Sequence, residues 1–199
     1  MRRRLESRRN EVWLVEDEEI YIQKRYTRPE SKQRELLYLE IMKGMHVPVV
    51  ERVEEEWVQL SYLEGSLLID VYEELERQQA SPLHMIRQLV NSLEEFYQKT
   101  QEYFGKPHRL GDMNFRNYII RKNTCYRIDL EECTQGTIEE DIGRLMAFAM
   151  WYDPICTNWK EAFILTLKNE CEERFQIQGE KIQGYYEDEV GRIKIRRGI

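Results

Sequence analysis

The chain has 199 residues, of which 41% are hydrophobic and 34% charged, and its 30 basic and 37 acidic residues give a formal net charge of -7. This length predicts one domain, or one domain folded as two small lobes, and excludes a large multidomain enzyme. The low glycine and proline content, 10 and 5 residues, argues against a disordered chain. The first glycine is Gly44, so the residues before it contain no glycine-rich loop.

Basic residues are concentrated at both ends of the chain. Residues 1–9 contain five arginines and one glutamate, and residues 190–199 contain four basic residues and no acidic one. The acidic remainder matches a phosphate backbone poorly, which argues against DNA binding and general nucleic-acid binding. Terminal charge runs are usually solvated tails, and the alternative here is an anionic partner, either a membrane surface or RNA.

The cysteines and the N-terminal sequence indicate a cytoplasmic setting. Cys125, Cys133, Cys156 and Cys171 form neither a CxxC pair nor a zinc-ligand spacing with histidine, so we expect reduced thiols. We expect no signal peptide, because no apolar stretch follows the N-terminal arginines. We also expect no transmembrane segment, because no apolar run approaches the ~20 residues of a spanning helix.

The first half of the sequence combines short strand patterns with one helix. Composition and two-residue periodicity predict strands over residues 11–15, 19–26, 47–53 and 57–63. Any earlier strand spans at most residues 3–10. Pro29 and Ser31 predict a helix over about residues 31–43, with Ser31 as its N-cap and Gly44 as its end.

The second half is mostly helical. Ser81 and Pro82 begin a predicted helix that ends before Gly105. Two strand patterns follow at residues 118–121 and 126–130, and further helical patterns run from about residue 139 and over residues 159–175. The aromatic residues of the helix that begins at Ser81 are expected in the core: Phe96, Tyr97, Tyr103 and Phe104. The three histidines are isolated and are expected at the surface or at helix ends: His46, His84 and His108.

Three oxygen-bearing side chains lie beside the two strand patterns of the second half. Asp112 and Asn117 are five positions apart just before one strand, and Asp129 stands at the end of the next. We expect them to converge at the mouth of a hairpin. A carboxylate there can deprotonate a hydroxyl, and hard oxygen ligands suit magnesium on nucleotide phosphates. Each residue alone is more typical of a turn, so the indication of phosphoryl transfer depends on the ordered set.

The segment from Gly111 to Ile120 resembles the catalytic loop of the protein-kinase-like superfamily, especially its aminoglycoside, choline and lipopolysaccharide-core (Kdo) kinases. The resemblance implies an α+β, two-lobed fold with a small antiparallel-sheet N-lobe bearing one helix and a mainly helical C-lobe. It implies Asp112 as catalytic base and Asn117 and Asp129 as magnesium ligands. We place the N-lobe at residues 1–66 and the C-lobe at residues 67–199.

The resemblance extends upstream to a nucleotide site. Lys24 and Glu35 are similar to the lysine and glutamate that pair in the superfamily to hold nucleotide phosphates. The two-residue strand period favours Lys24 over the adjacent Arg25 as the inward residue. Tyr62 and Leu63 resemble the hinge between lobes, which implies that backbone groups there bind adenine.

Two further segments bear on the resemblance. Residues 140–145 are similar to the superfamily segment whose aspartate, here Asp141, supports the catalytic loop. The chain departs from the pattern at the phosphate-covering loop, which is usually glycine-rich so that its backbone can approach the anion. Without a glycine before Gly44, we expect an arginine of residues 3–10 to contact phosphate instead.

The sequence therefore predicts an ATP- and magnesium-dependent kinase that moves a γ-phosphoryl group to an alcohol on a small molecule, a glycolipid or a protein. The missing glycine-rich loop motivates an alternative, a nucleotide-binding pseudokinase that acts as a regulatory or scaffold protein. A second alternative is an atypical kinase or ATPase in a tRNA-modifying complex that contacts RNA through the basic residues 192–197.

Overall fold

In the computed structural model, which describes residues 1–7 and 9–199, the N-terminal part is an antiparallel sheet of five strands. The strands are β1 (Arg2–Leu5), β2 (Glu11–Glu16), β3 (Ile20–Arg25), β4 (Val50–Val53) and β5 (Trp57–Ser61). Their order across the sheet is β1-β2-β3-β5-β4, so β3 is central. Lys24 on β3 pairs in register with Val12 of β2 and Val58 of β5. The first strand begins at Arg2, one residue before the predicted limit of residues 3–10, and ends at Leu5; residue 8 of that range lies outside the described residues.

One helix, α1 (Pro29–Ile41), accompanies the sheet. It begins at Pro29, and its N-cap is Arg28 instead of the predicted Ser31. Proline suits the first helical turn because an N–H at that position has no intrahelical partner. Ser31 therefore lies inside the helix, and the helix ends at Ile41, before the predicted stop at Gly44.

Five helices dominate the C-terminal part of the chain. They are α2 (Leu68–Arg77), α3 (Leu83–Phe104), α4 (Ile138–Trp151), α5 (Asn158–Phe175) and α6 (Gly179–Arg197). Residues 68–77 had no predicted element. Helices α4 and α6 pack closely at Gly143, where a Cβ atom would lie 2.7 Å from the backbone nitrogen of Tyr186. Across residues 1–7 and 9–199, no helix is both long and apolar enough to cross a lipid bilayer.

Short strands hold the loops between α2 and α4. Strands β6 (Ser66–Leu67), β8 (Tyr118–Arg121) and β9 (Thr124–Arg127) form one sheet, and β7 (His108–Arg109) pairs with β10 (Thr134–Gln135). Strand β9 starts two residues before the predicted position. Lys122 and Asn123 both have positive φ, so the β8–β9 hairpin turns in two residues, as the right-handed twist of paired strands favours. Asp129 consequently lies beyond the end of the strand.

The hydrophobic core is continuous from α1 and β5 to α5. Phe96 and Tyr97 are buried as expected, but Tyr103 is 62% exposed, because it lies in the last turn of α3 beyond Thr100, the last buried residue of that helix. His108 is only partly at the surface. Its ring stacks on Phe104 with centroids 3.9 Å apart, and its Nδ1 hydrogen-bonds to the Tyr38 hydroxyl.

Candidate active site

A buried ion pair joins the centre of the sheet to α1. Nζ of Lys24 lies 2.6 Å from Oε2 of Glu35, and the two side chains are 6% and 1% exposed. The Tyr26 hydroxyl donates a hydrogen bond to the same carboxylate oxygen at 2.7 Å. The neighbouring Arg25 is exposed and pairs with Glu56. Lys24 is therefore the inward residue of the two, as the strand period indicated.

Two acidic residues that follow β9 complete this cluster. Oδ1 of Asp129 lies 3.4 Å from Nζ of Lys24. Carboxylate oxygens of Glu35, Asp129 and Glu131 all lie within 4.8 Å of one another. Three carboxylates thus surround one ammonium group, and this excess of negative charge favours the binding of a further cation.

The pKa values of both Lys24 and Glu35 are raised above their ordinary values. Burial alone would lower the pKa of Lys24, but the carboxylates of Glu35, Asp129 and Glu131 together raise it above its ordinary value. Burial raises the pKa of Glu35 although Lys24 opposes this. Within the described residues, Oε1 of Glu35 is buried without a hydrogen-bond partner. Lys24 is therefore a stable cation at neutral pH.

The loop between β7 and β8 carries Asp112 and is fixed by α4. Asp141 on α4 accepts hydrogen bonds from the backbone N–H groups of Leu110 at 2.6 Å and Gly111 at 3.0 Å. The Tyr97 hydroxyl donates to the same carboxylate at 3.1 Å. Burial raises the pKa of Asp141 in spite of these donors. The loop support that the resemblance implied for Asp141 thus has a direct geometric basis.

The backbone at Gly111 requires a residue without a side chain. Its φ is +83°, and a Cβ atom there would lie 2.6 Å from the carbonyl oxygen of Glu132. The next residue, Asp112, is partly exposed, and its Oδ1 accepts a hydrogen bond from the backbone of Asn114 at 3.1 Å. One oxygen of Asp112 is thereby fixed within the loop.

Asn117 connects this loop to the residues after β9. It ends a short 3-10 turn, Phe115–Asn117, and its Nδ2 lies 3.5 Å from the carbonyl oxygen of Asp112. Its own carbonyl accepts a hydrogen bond from the backbone of Ile128 at 3.0 Å. The structure therefore brings the predicted set of Asp112, Asn117 and Asp129 to one end of the β8–β9 hairpin.

Arg127 is a site residue that the sequence analysis missed. Its buried guanidinium donates to the carbonyl oxygen of Asp129 at 3.0 Å, and also to the carbonyl oxygen of Asp112 and to the hydroxyl of Tyr118. One cation thus fixes the backbone of both acidic loops. The available signal was strand parity, because Arg127 lies two residues after the buried Cys125 on β9.

The predicted hinge residues lie in the connection between β5 and β6. Leu63 is buried, whereas Tyr62 is 37% exposed. A Cβ atom at Gly65 would lie 2.5 Å from the carbonyl oxygen of Ile120 on β8, so this connection packs tightly on the hairpin that leads to Asp129. Residues 62–65 thus lie between the sheet and the hairpin that leads to Asp129.

Comparison with known proteins agrees with the fold. A scan of the sequence against protein-family models matches none, and a search of curated proteins matches none. Among solved structures, a ternary complex of APH(2")-IIa with streptomycin and ATP is similar, with a TM-score of 0.59 and 14% identity over 100% of this chain and 89% of that chain. The chain therefore has the two-lobed α+β fold of this aminoglycoside phosphotransferase, and the predicted protein-kinase-like fold is confirmed. The lobe limits at residues 1–66 and 67–199 stay a prediction.

Proposed function

We propose that the chain is a kinase that transfers the γ-phosphoryl group of ATP to an alcohol group, with magnesium as its metal. The carrying observation is the contact of Lys24 with both Glu35 of α1 and Asp129 of the C-terminal part. Glu35 holds the ammonium group of Lys24 in position, and Asp129 lies beside it. An ammonium group can bind the phosphates of a nucleotide, and a neighbouring carboxylate can bind the metal ion that those phosphates carry. The ATP in the similar solved structure supports ATP as the donor.

The nucleotide would be bound between the ion pair and the hinge segment. Lys24 supplies a positive charge to the phosphates, and Glu35 holds the ammonium group in position. Backbone groups at Tyr62 and Leu63 would bind adenine. Each residue offers one N–H donor and one C=O acceptor whatever its side chain is, and these groups can pair with the edge of the base. This assignment is supported by the position of residues 62–63 directly after β5, the strand that pairs with β3.

Asn117 and Asp129 fit a magnesium ion by their chemistry. Carboxylate and amide oxygens are the hard ligands that magnesium prefers. The Asp129 side chain is 28% exposed, which leaves it accessible to an incoming ion, and the excess of carboxylates around Lys24 favours a divalent cation. When bound, magnesium would neutralise charge on the phosphate oxygens.

Asp112 would act as the general base. The acceptor hydroxyl would give its proton to the carboxylate oxygen of Asp112 that Asn114 does not occupy. The acceptor oxygen would then bond to the γ-phosphorus as the bond from that phosphorus to the ADP oxygen breaks. Asp141 and Arg127 hold the loop in place through its backbone during this step.

The proposal also includes the class of the acceptor and the cellular setting. The acceptor would be an alcohol on a small molecule, a glycolipid or a protein, and the streptomycin in the similar solved structure makes small molecules the first class to test. A cytoplasmic setting is supported by the four cysteines, all of which are free.

A specific observation favours one alternative over the other. The β1–β2 connection contains no glycine, which supports a pseudokinase that binds nucleotide without turnover.

The basic C-terminus gives less support to a tRNA-modifying complex. Arg192 and Arg196 pair with Glu189 on the same helix, and Arg197 pairs with Asp153, so part of the charge is engaged within the chain.

Nucleotide-dependent thermal unfolding followed by a turnover assay tests the proposal. ATP with magnesium should raise the melting temperature of the wild type by linkage, because a ligand at 100 times its Kd stabilises by about 2.7 kcal/mol. Asp129→Ala should remove most of this shift and all phosphate transfer. A shift without ATP turnover would favour the pseudokinase, and no shift at millimolar ATP would contradict nucleotide binding altogether.

A further inference from the structure

Arg9 and Asn10, which end the connection between β1 and β2, lie against the acidic segment that follows Asp129. Asn10 is only 5% exposed. Its Nδ2 donates to Oε2 of Glu131 at 2.6 Å, and its Oδ1 accepts from the backbone N–H of Thr27 at 3.2 Å. One amide thereby fixes the end of this connection to the segment before α1 and to the segment beside the proposed metal site.

The preceding residue, Arg9, presents a cation at the same place. Its guanidinium forms an ion pair with Glu132, and its Nη1 lies 3.9 Å from Oε1 of Glu131. The Arg9 side chain is 59% exposed. An exposed ion pair contributes little to stability, so Arg9 can exchange its carboxylate partner for another anion at low cost.

The charges of the cluster show why a further cation is needed. Lys24 is surrounded by the carboxylates of Glu35, Asp129 and Glu131, so its charge is more than balanced before any ligand arrives. A nucleoside triphosphate adds several negative charges, which one divalent metal ion does not cancel. A glycine-rich loop would supply backbone N–H groups to this charge, but residues 6–10 contain no glycine.

We propose that Arg9 binds the terminal phosphates of the nucleotide and so replaces the backbone of a glycine-rich loop. Glu131 and Glu132 bind its guanidinium in the absence of nucleotide, and Asn10 fixes the backbone from which it extends. A guanidinium suits this exchange because its fork of donors fits a carboxylate and a phosphate alike. This inference rests on the proposed function, since it names a further residue of the same nucleotide site.

Calorimetric titrations of Arg9→Ala with three nucleotides test this role. Loss of a charge-assisted contact to phosphate should weaken the binding of ATP with magnesium by about tenfold to a hundredfold. ADP should lose less, and AMP should bind as it does to the wild type. Arg3→Ala is the matched control, because Arg3 is an exposed arginine of β1 and its loss changes the net charge equally. Arg3→Ala should bind all three nucleotides within about twofold of the wild type.

A second variant tests the competition between carboxylate and phosphate. Glu132→Gln removes the charged partner of Arg9, so it should bind ATP several-fold more tightly than the wild type, and this gain should vanish in the Arg9→Ala background. Equal ATP affinity of Arg9→Ala and wild type, tighter binding by Arg9→Ala, or an equal loss for AMP would each overturn the role of Arg9 while leaving the proposed kinase function intact. Failure of the wild type to bind ATP would overturn both.

Discussion

Lys24 and Glu35 form an ion pair with 2.6 Å between Nζ and Oε2, and their side chains are 6% and 1% exposed. The two residues are not equivalent, because Lys24 also faces Asp129 at 3.4 Å. Lys24→Met leaves a fully buried carboxyl without its cation and should cost about 3–5 kcal/mol of unfolding free energy. Glu35→Gln leaves Lys24 with Asp129 and should cost about 1–3 kcal/mol. Urea unfolding of both variants measures this difference.

The neighbouring strand position provides the control for this comparison. Arg25 pairs with Glu56, and both side chains are more than half exposed. Arg25→Met should therefore change the unfolding free energy by less than about 1 kcal/mol. If Glu35→Gln lowered the unfolding free energy as much as Lys24→Met, the carboxylates of Asp129 and Glu131 would not stabilise Lys24 in the absence of Glu35.

Asp112 and Asp129 should separate the chemical step from nucleotide binding. Asp112→Asn keeps an oxygen that can accept the hydrogen bond from Asn114 but removes the proposed general base. Phosphate transfer should fall by about 10²–10⁴-fold, whereas calorimetry should show unchanged affinity for ATP with magnesium. Asp129→Asn should weaken that affinity.

The exposed Asp70 in the first turn of α2 gives the matched exchange for this pair. Asp70→Asn should leave both transfer and affinity unchanged. If Asp112→Asn weakened nucleotide binding as much as Asp129→Asn, Asp112 would be assigned to the nucleotide and not to the acceptor hydroxyl.

Local periodicity was sufficient to predict several parts of this site. The two-residue strand period distinguished Lys24 from Arg25 because successive side chains on a strand point to opposite faces of the sheet. The spacing of Asp112 and Asn117 before a strand likewise indicated their convergence with Asp129. The limits of helices and strands were less predictable, since Pro29 begins α1 where Ser31 offered an equally typical cap.

Contacts between distant segments could not be predicted from the sequence. Asn10 meets Glu131 across 121 positions, and no local pattern distinguishes either residue from an ordinary loop side chain. Strand parity can mark Arg127 as an inward residue, but it does not predict the three acceptors around its guanidinium, two of which are backbone carbonyls. Buried polar residues of this kind depend on partners that only the folded chain brings together.

Asp141 should position the loop that carries Asp112 without contacting any substrate. Asp141→Asn replaces a carboxylate that accepts from two backbone N–H groups with an amide that has one oxygen. We expect a loss of about 2–4 kcal/mol in unfolding free energy and a fall in the rate of transfer. Chemical denaturation and a transfer assay measure the two effects. Asp188→Asn on α6 is the control, because that side chain is exposed.

A loss of stability without a loss of turnover in Asp141→Asn would contradict the loop-positioning role. In that case the contact of Asp141 with Leu110 and Gly111 would serve only to hold the loop against α4.

His108 should make the stability of the protein depend on pH near neutrality. Burial, with the nearby charge of Lys106, lowers the pKa of His108 below its ordinary value of 6.5. The folded protein therefore binds a proton at His108 less readily than the unfolded chain does. The stabilisation is complete above pH 6.5 and is lost as the pH falls through that value towards the lower pKa of the folded state. Thermal unfolding at a series of pH values between about 7.5 and 5.5 measures this loss.

His108→Gln isolates the contribution of this ring. The variant keeps a polar partner for Tyr38, which lies 2.5 Å from Nδ1 of His108, but it has no group that titrates in this range. Its melting temperature should therefore fall less than that of the wild type over the same pH interval, while acidic groups common to both proteins cancel in the comparison. Equal pH dependence of His108→Gln and wild type would show that the stacked ring is not responsible.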